Sequence, residues 1–341
     1  MESLILFQDT DIQNYLHPRI GEQKLGTTIG ILDKNNWMNE LENSSSKFVI
    51  LGIPEDIGIR ANGGIGGAFT AWESFLSAFL NTQDNIYLHG KDITVLGNVF
   101  VQDIMDNNTL DASVSHLRAS VEIIDQRVFP IIEKIISLGK IPVVIGGGHN
   151  NVFPILKGTS IAKGKSINVI NMDAHADFRA LEGRHSGNGF SYAYEQNYLN
   201  KYAAFGLHEA YNNTKMVNDF KNNQDLLAIW VEDIYLRNKL NFKEGLQTSL
   251  SFVSDDIFGV ELDLDSIQDT LSSAQSPLGF SRLEACNYLY NCGKEDNAVY
   301  LHLPEGVAVR NDGLQYPFIG KLISYLVQSF IKGKLESLNN S

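Results

Sequence analysis

The sequence predicts an α/β fold built on a mainly parallel sheet that is covered on both faces. Two observations predict it: short, largely apolar runs of strand length, and segments with helical apolar spacing between them. The strand runs are Phe48-Val-Ile-Leu-Gly52, Ile141-Pro-Val-Val-Ile145, Ile167-Asn-Val-Ile-Asn171, Phe258-Gly-Val-Glu-Leu262 and Ala298-Val-Tyr-Leu-His-Leu303. Among the helical segments, Ala68 to Leu80 sets Phe69, Trp72, Phe75, Leu76 and Phe79 near one face. His116 to Leu138 is a second, which Pro130 is expected to kink or divide. Ser281-Arg-Leu-Glu284 matches a capping box and opens a helix through Tyr290. A last helix follows Pro317 and carries Ile319, Leu322, Ile323, Leu326 and Phe330.

These elements divide the chain into an irregular N-terminal extension over 1–46, a single catalytic domain over 47–335 and a frayed tail over 336–341. The 341 residues are 43% hydrophobic, enough for one substantial core. With 27 Lys+Arg against 40 Asp+Glu the net charge is −13, which a phosphate backbone would repel, so nucleic acid is excluded as a partner. Cys286 and Cys292 supply neither a disulfide framework nor a zinc-finger spacing. The start, Met1-Glu-Ser-Leu-Ile-Leu-Phe-Gln-Asp9, has no basic region before an apolar stretch, and no apolar run approaches membrane-spanning length. The expectation is a cytoplasmic protein without a membrane partner.

Polar clusters sit at the carboxyl ends of the strand runs, where open α/β sheets bind ligands. Ile141–Ile145 runs into Gly146-Gly-Gly-His149, and Ile167–Asn171 into Asp173-Ala-His-Ala-Asp177. Phe258–Leu262 runs into Asp263-Leu-Asp265, and Ala298–Leu303 into Pro304-Glu305. If the Asp-x-His-x-Asp segment is extended, its three side chains share one side at roughly 7 Å spacing, and Asp-x-Asp repeats the arrangement. His149, Asp173, His175, Asp177, Asp263 and Asp265 are four carboxylates and two imidazoles, too much acid for one ion. Two divalent ions sharing carboxylates would neutralise it, and an oxygen/nitrogen set without thiolate favours manganese.

In these motifs the chain resembles the arginase/agmatinase/formimidoylglutamase superfamily, the ureohydrolases. The resemblance runs from about Phe48 to Pro317 and includes Gly147-Gly-His149, Asn171 to Asp177, Ser186-Gly-Asn188, Asp263-Leu-Asp265, Ser276-Pro-Leu-Gly279 and Glu305. It implies a three-layer α/β/α sandwich and a binuclear centre of two Mn2+. One ion would take His149, Asp173, Asp177 and Asp263, and the other Asp173, His175, Asp263 and Asp265. The family's trimers and hexamers make a homo-oligomer an assembly to test.

The chemistry implied is hydrolysis of an amidine or guanidine. Two ions lower the pKa of a shared water, and Asp177 orients the resulting hydroxide and passes its proton toward the leaving nitrogen. Glu305 resembles the family carboxylate that pairs with the amidinium. Where arginases close the Ser-Gly-Asn segment with a proton-shuttling histidine, this chain has Phe190, leaving His185 as a partial substitute and Asn188 as a substrate contact. Two residues after Asp177, arginases carry an Asn for the substrate carboxylate; here it is Arg179, which suits a more anionic substrate. Pro54 to Gly64 also looks like the formimidoylglutamase branch, making Arg60 a second carboxylate-binding candidate. A desolvated arginine left unpaired would cost about 2–5 kcal/mol. The expected reaction is therefore N-formimidoyl-L-glutamate to L-glutamate and formamide. The alternatives are an arginase, agmatinase or other guanidino-acid hydrolase releasing urea, and an inactive metal-binding scaffold.

Overall fold

Each apolar run named above is a strand, and further strands complete a nine-stranded sheet within residues 3–340, the part of the chain that this computed structural model describes. In chain order they are β1 (Leu4–Leu6), β2 (Phe48–Gly52), β3 (Ile93–Val99), β4 (Ile141–Ile145), β5 (Ile167–Met172), β6 (Leu199–Leu207), β7 (Leu226–Trp230), β8 (Phe258–Leu262) and β9 (Ala298–Leu303). Their order across the sheet is β1-β3-β2-β4-β9-β8-β5-β6-β7, parallel throughout except for β1. The chain leaves β4, skips two places to β5, and later fills the gap with β8 and β9. That reversal opens a crevice at the carboxyl ends of the four central strands.

Alternate strand residues feed two separate cores, as the pleat requires. Phe48, Ile50, Val143 and Ile145 pack with the helices Ala71–Phe79, Phe242–Val253, Arg282–Lys294 and Ile319–Asn340. Val49, Leu51, Val144 and Val169 pack on the other face with Val114–Ser137 and Val152–Lys163. The result is a three-layer α/β/α sandwich. Local chemistry sets the helix ends. Ser281 and Glu284 exchange the reciprocal capping-box bonds, and Gly164 closes Val152–Lys163 at φ 68°.

The structure corrects several expectations. Pro130 does not divide its helix, which runs unbroken from Val114 to Ser137; Val121, Ile124, Val128, Ile131, Ile132 and Ile135 are buried along it, and that packing outweighs the lost N–H. The extension is not irregular: β1 pairs with β3 from Leu4↔Val99 to Leu6↔Gly97, and Trp37 and Leu41 are buried. The last helix continues through Asn340 and absorbs most of the expected frayed tail. Residues 1–2 of the extension and 341 of the tail lie outside the described residues.

Candidate metal centre

Glycine builds the first wall. Gly146 and Gly147 follow β4 at φ 84° and 74°, and a Cβ on Gly147 would meet the Asn151 amide nitrogen at 2.3 Å. The turn is fastened by Glu55, whose Oε1 accepts from Gly148 N at 2.9 Å and Asn151 Nδ2 at 2.7 Å. Its Oε2 accepts from Ile57 N at 2.6 Å, so one buried carboxylate ties this loop to the loop after β2. His149 is thereby held fully buried at the floor of the crevice.

The acidic walls come from β5 and β8, whose parallel register pairs Met172 with Leu262 and so sets Asp173 beside Asp263. The next residues do not continue as extended strand. Asp173 Oδ1 accepts from His175 N at 2.7 Å, and Asp263 Oδ1 accepts from Asp265 N at 2.8 Å. These two matching turns, with Asp177 in the left-handed region at φ 44°, converge the side chains. The expected alternation along an extended segment is thus replaced by two turns.

Two donor sets result. Asp173 Oδ2, Asp177 Oδ2 and Asp263 Oδ2 lie 3.2, 3.0 and 3.1 Å from His149 Nδ1. Asp265 Oδ2 and Asp173 Oδ1 lie 3.0 and 3.7 Å from His175 Nδ1. Asp173 therefore presents one oxygen to each set, the placement of a bridge. The three oxygens crowd His149 Nδ1 without hydrogen-bond alignment, and both ring nitrogens are buried. Oxygen and imidazole donors gathered around a point in this way fit a divalent cation.

The electrostatics agree. Burial opposes charge on His149, yet the Asp173, Asp177, Asp263 and Glu261 carboxylates raise its pKa well above the ordinary value. His175 is raised in the same sense by Asp265 and Asp173 against burial. Asp263 is driven well above the carboxylate range by burial, then by Asp265 and Asp173; Asp177 is raised by burial, then by Asp173. Burial pushes Glu305 up to about 8, with Asp265 and Asp177 adding to it while the Ser273 hydroxyl and His149 N–H oppose it. The acids cannot all ionise without nearby positive charge, and divalent cations would supply it while releasing these protons.

Asp177, His175, Asp263, Asp265, Glu305 and Arg179 line one cavity of about 330 Å³. Glu305 is buried at its floor with φ 66°, an uncommon backbone for a residue other than Gly, Asn or Asp. Its Oε1 accepts from His149 N at 3.0 Å and its Oε2 from Ser273 Oγ at 2.6 Å. Arg179 stands at the rim with its side chain 45% exposed, bonded to Asn62 Oδ1 at 2.7 Å and Glu182 Oε1 at 3.0 Å. The arginine expected to be desolvated is thus half in water and already paired.

The remaining candidates lie outside that cavity. Arg60 is occupied by Asp56 at 3.7 Å and by the Thr109 carbonyl. His185 is buried, with Nδ1 accepting from Gly187 N at 3.1 Å and Nε2 facing Glu182. Asn188 is buried too; its Oδ1 accepts from Arg184 and from His185 N, and its amide donates to Gly183 O. Both order the loop rather than face a ligand. Phe190 stacks on Tyr202 at 4.2 Å and meets the His149 ring edge-on at 5.2 Å, so it walls the site. The Gly63–Gly67 loop is tied down by Gly67 N donating to Asp56; beside it, only Asn62 reaches the cavity.

Several supporting residues were not singled out from the sequence. Asn171 donates to Asp173 Oδ2 at 3.0 Å, Asn212 accepts from Ala176 N at 2.9 Å, and Tyr211 stacks on the His175 ring at 5.1 Å. Behind His149 lies a buried Glu261–His302 pair. Asn171 and Glu261 do carry a signal, since each is a polar residue within an apolar strand run, and Glu55 follows one by three residues.

Residues 46–305, which contain every one of these groups from Glu55 to Glu305, match the Arginase family model, and the chain belongs to the arginase family. Within that family it is similar to the formimidoylglutamase of Geobacillus sp., with 27% identity over 253 residues covering 73% of this chain and 70% of that protein. A Trypanosoma cruzi formiminoglutamase variant with Mn2+2 superposes with a TM-score of 0.70 at 21% identity, over 92% of this chain and 98% of that one. The formimidoylglutamase of Bacillus subtilis superposes with a TM-score of 0.71 at 14% identity, over 97% and 99%.

Proposed function

We propose that the chain hydrolyses N-formimidoyl-L-glutamate to L-glutamate and formamide with two Mn2+. His149, Asp173, Asp177 and Asp263 would hold one ion, and Asp173, His175 and Asp265 the other, with Asp263 kept as the second bridge that the family resemblance implies. When bound, the pair of ions supplies a hydroxide nucleophile near neutral pH. Asp177 orients that nucleophile through its carboxylate and moves the proton to the departing glutamate nitrogen. Glu305 accepts from the amidinium N–H groups and holds the planar amidine over the two donor sets. Arg179 receives a substrate carboxylate at the rim.

The observation that carries this reading is the polarity of one cavity: a buried carboxylate, Glu305, at the floor and a cation, Arg179, at the mouth. A substrate with an amidinium at one end and carboxylates at the other matches that order. Arginine and agmatine place less negative charge at the mouth. A cytoplasmic compartment belongs to the same proposal; the two cysteines, Cys286 and Cys292, are unpaired. No helix among the described residues is long and apolar enough to cross a membrane.

The test compares kcat/KM for N-formimidoyl-L-glutamate, arginine, agmatine and guanidinobutyrate on manganese-loaded protein, scoring formamide against urea. Faster release of urea from arginine would overturn the substrate assignment and leave the hydrolase intact. No turnover of any of the four by protein carrying two ions would favour a metal-binding scaffold.

A further inference from the structure

Directly behind the donor sets, two ionisable side chains are buried where the proposed chemistry does not use them. Glu261 on β8 and His302 on β9 are cross-strand partners in register, both fully buried. Glu261 Oε2 lies 2.6 Å from His302 Nδ1 and 3.4 Å from His149 Nε2. The second approach is long and poorly aligned for a hydrogen bond. His149 thus has its two ring nitrogens between opposing groups: Nδ1 faces three carboxylate oxygens, and Nε2 faces Glu261.

A buried carboxylate–imidazole pair in the middle of a sheet is weak evidence for stability, because desolvation of both groups offsets their attraction; apolar residues of similar volume commonly serve as well. Its position suggests a different use. We propose that Glu261, oriented by His302, is a positioning residue for His149. The carboxylate accepts a hydrogen bond from Nε2–H, which fixes the tautomer and leaves the Nδ1 lone pair free among Asp173, Asp177 and Asp263, where a cation would be held. With a cation held there, donation of that lone pair would make Nε2–H a better donor to Glu261. Carboxylates behind metal-bound imidazoles act in this way, and losing them weakens binding about 10–100-fold. The support is one-sided, since among the described residues no carboxylate stands behind the His175 ring, which instead stacks on Tyr211. The pair therefore strengthens one of the two ion positions selectively.

This inference rests on the two-ion reading above. The experiment titrates metal-free protein with Mn2+ by calorimetry and follows the spin-coupled Mn(II) pair by electron paramagnetic resonance. The subjects are wild type, Glu261→Gln, and the double variant Glu261→Leu/His302→Leu, which replaces the pair with apolar volume. In the double variant one Mn2+ should bind as in wild type and the other at least 10-fold more weakly. The coupled signal should then vanish at two equivalents in dilute protein. Glu261→Gln keeps an acceptor for Nε2–H and should recover most of the affinity. If the double variant does not fold, His302→Gln is used in its place, with the same selective weakening expected. Unchanged affinity for both ions in a folded variant makes the pair structural only and overturns the proposal. Wild-type protein that takes up fewer than two ions breaks the two-ion reading itself, and the positioning role falls with it.

Discussion

The two donor sets share Asp173 but differ in how they meet solvent. Around His149 the set is largely sealed: the imidazole is fully buried, Asp263 is 2% exposed, only Asp177 is partly open with its side chain 13% exposed, and Phe190 and Glu261 close the back. Around His175 the side chain is 27% exposed and is covered by Tyr211, itself 44% exposed in the short helical turn Glu209–Tyr211. The first set grows from the glycine turn after β4 and is tied by Glu55, Glu305 and Asn171. The second depends on the turn after β5 and the short helical turn after β8. The contrast assigns different work to the two positions. The sealed one fixes the geometry of the cradle, and the open one faces the entering substrate.

The largest expected effect comes from a residue of the sealed set. Asp263→Asn keeps the acceptor for the Asp265 amide but removes a charge that burial, Asp265 and Asp173 all disfavour. Formamide release should fall about 10³-fold or more, reflecting the several kcal/mol of metal-derived charge stabilisation. Stability should move the other way in metal-free protein. A carboxyl whose folded pKa is raised stabilises below its unfolded value of about 4, and that contribution is lost as pH rises through the folded pKa. At neutral pH the Asn variant should therefore melt at or above the wild-type temperature, while its Mn2+-induced increase in Tm shrinks. A large drop in the metal-free Tm would mean that Asp263 is a structural anchor instead.

Glu305→Gln comes next, with kcat/KM lower by about 10²-fold and both ions retained, the loss of roughly 3 kcal/mol expected when a charge-assisted bond made in the transition state is removed. Metal analysis alongside the kinetics separates this from damage to the cradle, because Gln still offers an acceptor to His149 N. Arg179→Met should give the smallest effect. The guanidinium is half in water and shared with Glu182, so its loss is worth about 1 kcal/mol, a roughly 5-fold rise in KM for the dianionic substrate. An unchanged KM would pass the carboxylate role to neutral groups of the mouth such as Asn62 and Asn213.

How much of this was legible beforehand follows from the strength of each local signal. The strands β2, β4, β5, β8 and β9 are short runs dominated by apolar residues, and the candidate donors follow β4, β5 and β8, so sheet, crevice and ligand candidates could be placed together. Weaker strands escaped notice. β6 is interrupted by Asn200, Lys201 and Gly206, and β1 is only three residues long, with its place set by pairing to β3 rather than by pattern. The side-chain roles of Arg60, His185 and Asn188 were illegible for another reason. Each is decided by a partner distant in sequence or by a local turn: Arg60 by Thr109, Asn188 by Arg184, His185 by the Gly187 amide. Motif position located those residues in the right loop without saying which way they face. Similarly, spacing identified Asp173, His175 and Asp177 as a group but gave the wrong backbone, because the Asp173–His175 turn forms only where the strand ends.

One titration tests the two-set centre most directly. Metal-free protein is given Mn2+ in steps, and bound metal and formamide release from N-formimidoyl-L-glutamate are followed together. Two ions per chain should bind, the tighter one in the sealed set, and turnover should appear only as the second position fills. Binding should tighten with rising pH, since the protons held on His149, His175, Asp177 and Asp263 must leave. Full turnover with a single ion per chain, or saturation at one, would contradict the two-set centre.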